Sequence, residues 1–111
     1  MAAAPVTATR DGAVVTLVLD EPDRRNPLSL ATMRALTGGL RRAGDDPAVR
    51  AVVVGASGTV FCAGHDLREL ATEDAVALEE VFAACAELML AVHRLPVPVI
   101  ARVQGLATAA G

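Results

Sequence analysis

A chain of 111 residues, 53% of them hydrophobic, has the length of one domain or part of one and enough apolar mass for a core. Its net charge of −3 gives no electrostatic case for nucleic acid or an anionic membrane, and no apolar run approaches the ~20 residues of a membrane span. Two cysteines are too few for a disulfide framework, and Met1-Ala2-Ala3-Ala4-Pro5 carries no secretory or transit signature, so the expected location is the reducing cytoplasm.

In chain order, residues 6–10 and 13–19 read as two strands joined by the hairpin signal Asp11-Gly12. A polar, proline-bounded loop follows from Asp20 to Pro27. Ser29 then reads as the N-cap of a helix whose inner face carries Leu30, Met33, Leu36 and Leu40. Gly38-Gly39 weakens that helix, and Gly44-Asp45-Asp46-Pro47 ends it. Residues 51–54 form an apolar strand leading into a glycine-containing loop. A second helix is predicted over 73–94, with one apolar stripe of Leu78, Val81, Phe82, Cys85, Leu88, Met89 and Val92. Pro96 and Pro98 stop it before a strand at 98–103. The order β-β-α-β-α-β predicts an α/β layer structure with parallel crossovers. The runs 51–54 and 99–103 lack clean alternation, as expected of strands covered on both faces.

The chemistry concentrates at two strand-to-turn junctions, Phe61-Cys62-Ala63-Gly64-His65-Asp66-Leu67 and Gln104-Gly105-Leu106-Ala107-Thr108-Ala109-Ala110-Gly111. Small residues at the ends of strands leave backbone N–H groups free to face a developing negative charge. Locally, Gly64 reads either as a tight turn with positive φ or as a place where backbone approaches a ligand. His65-Asp66 reads as an acid/base pair or as a loop histidine followed by a turn or cap residue. Cys62-x-x-His65 has metal-ligand residue types but lacks the second pair that a zinc site needs, so no metal is expected. Arg24-Arg25 reads as a phosphate contact or as plain solvated surface.

Taken together, Arg25-Asn26-Pro27-Leu28, Phe61 through Glu69, and Pro96 through Gly105 resemble the enoyl-CoA hydratase/isomerase (crotonase) family, in the right order and across essentially the whole chain. The resemblance implies that residues 1–111 are the N-terminal part of one crotonase-fold domain, a spiral of ββα units truncated at Gly111. It implies an acyl-CoA thioester as ligand, coenzyme A entering as part of the substrate and no separate cofactor. The backbone N–H groups of His65 and Ala110 match the oxyanion donors of that family. Arg24, Arg25, Asn26, Ala63, Gly64, Asp66, Leu67 and Arg68 match segments that wrap CoA and its adenine. Ala109-Ala110-Gly111 departs from the Gly-Gly-Gly of typical hydratases, so a methyl group stands at the donor position. The family's two catalytic glutamates belong beyond Gly111, so the 111-residue chain alone is expected to be inactive. The activity implied for a complete parent is hydration or isomerisation of an enoyl thioester in fatty acid metabolism, and such a parent would form a homo-trimer or hexamer. The alternatives are a non-catalytic acyl-CoA-binding or assembly protein that keeps the cradle and lacks the acid/base, and a truncated product without function.

Overall fold

The computed structural model describes residues 4–111. A hairpin opens the chain: β1 (Val6–Asp11) pairs antiparallel with β2 (Val14–Leu19), Asp11 opposite Val14, so the turn is the two residues Gly12 and Ala13. Gly12 has φ +59°, the left-handed geometry that such short hairpin turns require. The 16-residue helix α1 (Leu30–Asp45) follows, and its N-cap is Ser29, whose hydroxyl accepts the Thr32 N–H at 3.1 Å. Met33, Leu36 and Leu40 are buried, as their spacing predicts.

The helix returns the chain to β3 (Ala51–Ala56), which lies parallel to β2 with Leu17 opposite Val54. β4 (Val60–Cys62), one turn of helix α2 (Leu67–Leu70) and the long helix α3 (Ala75–Arg94) come next. β5 (Val99–Ala101) then pairs parallel with β3, giving a four-stranded sheet in the order β1-β2-β3-β5. The core forms where α1 meets the sheet and α3 packs on α1, with Leu17, Met33, Leu40 and Val52 at most 1% exposed. Burying each such side chain fully is worth roughly 1.5–3 kcal/mol.

Four elements go beyond the sequence reading: a 3₁₀ turn at Pro22–Arg24, β4, α2 and the two-residue β6 (Leu106–Ala107). β4 and β6 pair parallel in a separate two-stranded sheet. They are too short to carry a periodic signal, and their pairing partners lie far apart in the chain.

Two expectations are corrected. The strand predicted at 98–103 is only Val99–Ala101 and lies at an edge of the sheet, with Ile100 half exposed. After Arg102 donates its N–H to the Val54 carbonyl, the chain leaves the sheet, and the Gln104 amide bonds the Gly58 carbonyl instead. The single apolar stripe of α3 also divides. Val81, Ala84 and Leu88 are buried, whereas Phe82, Met89 and Val92 are exposed. Ala84, a small residue outside the predicted stripe, joins the core with Val81 and Leu88, so the buried face is rotated from the one the larger side chains mark.

Candidate functional site

The site is built by parallel pairing. Val60 lies opposite Leu106 and Cys62 opposite Ala107, so β4 and β6 release their following loops at the same end of their small sheet. The Thr108 N–H then bonds the Cys62 carbonyl at 3.1 Å, tying the second loop to the end of β4. Gly64 has φ +85°, and Ala109, without the freedom of glycine, has φ +53°. The two loops touch. A methyl group on Gly64 would lie 2.8 Å from Ala109 Cβ, 3.1 Å from the Thr108 carbonyl oxygen and 3.6 Å from Ala110 N. Glycine at 64 is therefore required twice, for its dihedral and for its missing side chain.

A third segment lies along the first loop. Arg25 and Asn26 both adopt the left-handed region, φ 62° and 50°, so that the Arg25 carbonyl accepts the Ala63 N–H at 3.1 Å. Leu28 donates its N–H to the Gly64 carbonyl at 2.7 Å and forms a parallel bridge with His65. That bridge uses the groups on either side of His65 and turns the His65 N–H away from Leu28. Among the described residues, neither the His65 N–H nor the Ala110 N–H has a protein acceptor. Two uncommitted donors thus flank one junction.

Beside the junction runs a groove of about 450 Å³ whose walls are Arg24, Pro27, Ala63, His65, Asp66, Leu67 and Arg68. It brings together Arg24, from the segment before α1, and Arg68, from α2. Arg25, predicted with them, does not line it. The αL turn that sends the Arg25 carbonyl to Ala63 leaves its side chain outside this groove. Asn26, also predicted as a CoA contact, is a brace, 2% exposed. Its Oδ1 accepts the Glu21 N–H at 2.8 Å, and its Nδ2 donates to the Ser57 and Val60 carbonyls at 2.8 and 3.0 Å. A side-chain amide with both N–H groups occupied has no donor left for a ligand.

Asp66 is the N-cap of α2, accepting the Arg68 N–H at 3.0 Å. Its other oxygen meets the Arg24 guanidinium at 2.5 Å, and Arg24 also reaches Glu21 at 3.3 Å. The local cap reading of His65-Asp66 therefore holds, and the carboxylate is committed. Burial raises its pKa, but the Arg68 N–H and the Arg24 guanidinium outweigh that and hold it below the ordinary 3.8. A carboxyl lowered on folding adds stability above its unfolded pKa and loses it as pH falls through the folded one. Asp66→Asn should therefore make the loss of stability below about pH 4 shallower, with the limb due to Asp46, held low by the Ala48 N–H and by Arg10, remaining. Urea midpoints across the acid range read this; an acid limb as steep as the parent's would remove Asp66 from it. Burial also pushes the Cys62 thiol up, partly offset by a bond from the Gly64 N–H, which opposes the thiolate that a metal ligand or nucleophile needs.

Leu28, Thr108 and Ala109 stand inside the motifs the sequence marks, but nothing in the sequence gives them a role. Asparagine tolerates positive φ, so Asn26 carried some signal for its turn, but an alanine at φ +53° has none.

A βαβ sheet joined to a second small parallel pair, with two glycine- and alanine-bearing loops converging at its end, makes an α/β protein, and its likeness to solved enoyl-CoA hydratase structures shows that arrangement to be part of the crotonase fold. A profile of the enoyl-CoA hydratase/isomerase family matches residues 9–111, and the chain belongs to that family. It is 41% identical over 103 residues to a Danio rerio protein named enoyl-CoA hydratase domain-containing protein 3, mitochondrial, covering 92% of this chain and 36% of the relative. The Xenopus laevis protein of the same name is 46% identical over 96 residues, 86% of this chain and 33% of the relative. The crystal structure of human enoyl coenzyme A hydratase domain-containing protein 3 superposes with a TM-score of 0.91 at 39% identity, over 96% of this chain and 42% of that one. The chain thus spans about a third of the length of these curated relatives and corresponds to the N-terminal part of the domain.

The fish, frog, mouse and human relatives are all named mitochondrial, which overturns the expected cytoplasmic location and points to the mitochondrion. Few cysteines and no disulfide framework signify only a reducing compartment, and composition does not separate one such compartment from another. Among the described residues, no helix is long and apolar enough to cross a membrane.

Proposed function

We propose that this chain carries the acyl-CoA cradle of an enoyl-CoA hydratase/isomerase-type protein, with the His65 and Ala110 N–H groups as paired donors to the thioester oxygen. The observation that carries this reading is the contact between the Gly64 and Thr108–Ala110 loops, with both donors uncommitted. When a thioester enolises, its charge gathers on one oxygen, and pre-aimed donors stabilise that state more than the neutral ground state. Arg24 and Arg68, exposed along the groove, would meet the phosphates of CoA, while Ala63 and Leu67 offer apolar contact. Coenzyme A enters as part of the ligand, and assembly as a homo-trimer or hexamer belongs to the full-length protein.

The one carboxylate lining the groove, Asp66, is held by two arginine residues, so the role proposed for this groove is to bind and stabilise. The non-catalytic acyl-CoA-binding reading shares this cradle and differs from the enzyme only in turnover. Titration of the protein with butyryl-CoA tests the cradle itself. Arg68→Glu is expected to weaken binding about tenfold and reduce its salt dependence, because a charge-assisted contact is lost. The melting temperature should hardly change, since the Arg68 side chain is 76% exposed. Affinity equal to the parent's would leave Arg68 as plain surface charge, and a parent that binds no CoA thioester would end the proposal.

A further inference from the structure

Besides the two backbone donors, the junction holds the imidazole of His65. Its Nδ1 is fully buried and has no hydrogen-bond partner, although buried polar atoms almost always find one. The ring is held edge-on by Phe82 of α3, with centroids 5.8 Å apart and planes at 68°. An orphaned N–H is costlier than an orphaned lone pair, so burial of Nδ1 favours Nε2 as the nitrogen that carries the N–H. With Nδ1 sealed, Nε2 is the polar corner that His65 can present to the groove it lines.

The groove around it is short of acceptors. Asp66 already accepts from Arg24 and from the Arg68 N–H, with the Arg68 Nε 3.5 Å from it, so the side chains and N–H groups with donors to spare are those of Arg68 and His65. We infer that the His65 side chain is itself a ligand contact, donating Nε2–H to an acceptor oxygen of the bound thioester, with Phe82 as the residue that holds the ring in place. This rests on the acyl-CoA reading above. The oxygen belongs either to the acyl chain or to the CoA portion, and the chemistry is the same.

His65→Phe keeps the aromatic contact and the backbone N–H but removes the ring donor. It is titrated beside the parent with CoA, butyryl-CoA and 3-hydroxybutyryl-CoA. The expected loss is about three- to tenfold in Kd, the effect of one neutral hydrogen bond, with an unchanged melting temperature. Weakening for all three ligands places the oxygen on CoA; weakening confined to the hydroxyacyl thioester places it on the acyl chain. His65→Gln, which can restore an N–H near the same position, should recover part of the loss. Phe82→Leu should weaken the same ligands in the parent and have no further effect in the His65→Phe background, which marks Phe82 as acting through the ring. If His65→Phe binds all three ligands as the parent does, the imidazole is no contact and the inference falls while the cradle stands. If the parent binds none of them, the cradle fails first.

Discussion

Asn26→Ala is expected to lower the unfolding free energy by about 3–5 kcal/mol, the range for breaking a buried hydrogen-bond network. The substitution strips the Glu21 N–H and the Ser57 carbonyl of their partners and takes one of two donors from Val60. It also leaves alanine at φ 50°, where asparagine is tolerated better. Asn26→Asp is the sharper variant. It keeps an acceptor for Glu21 but turns a carboxylate oxygen toward two carbonyls, so it should be at least as damaging as alanine at neutral pH. Urea denaturation measures both. A loss below about 1 kcal/mol for Asn26→Ala would show that the loop from Glu21 to Leu28 is held by its backbone alone.

Gly64→Ala is expected to abolish ligand binding and to destabilise the fold by about 2–4 kcal/mol, adding a left-handed dihedral penalty to steric overlap. Its new methyl would sit 2.8 Å from Ala109 Cβ and 3.1 Å from the Thr108 oxygen, forcing the two donor-bearing loops apart. Gly12→Ala supplies the control. That glycine also has positive φ, +59°, but a methyl there meets nothing within 4 Å, so only the dihedral penalty of about 1–2 kcal/mol applies. The excess at position 64 isolates the contact between the loops. Equal losses at 12 and 64, with ligand affinity intact, would mean that the loops tolerate separation and that their convergence has no bearing on binding.

Much of the fold was legible because its signals lie in consecutive residues. Ser29 caps α1 by bonding Thr32, three positions on, and the stripe of Met33, Leu36 and Leu40 repeats within two turns of the same helix. Asp11-Gly12 marks the hairpin by the dihedral that glycine allows. Asp66 bonds the N–H two residues later, so its cap role was visible beside the acid/base alternative. The candidate donors His65 and Ala110 were named from the family resemblance, since no local pattern shows which backbone N–H groups lack partners.

What the amino-acid sequence determined by itself was therefore the order of the elements, the inner face of α1 and the residue types at the two junctions. Tertiary structure decided which segments meet. Gly39, read as a weak point in α1, lies against Leu17, where an added methyl would come within 2.9 Å of the leucine side chain. Gly105, read as a turn, lies so close to the Thr59 carbonyl that a side chain would collide with it. Arg24 and Arg68 entered one groove, Arg25 did not, and Asn26 turned inward. The reason is common to all of these. Caps, turns and periodicity act between near neighbours in the chain, whereas the approach of two loops depends on strand register and helix packing, which arise only when distant segments exclude water together.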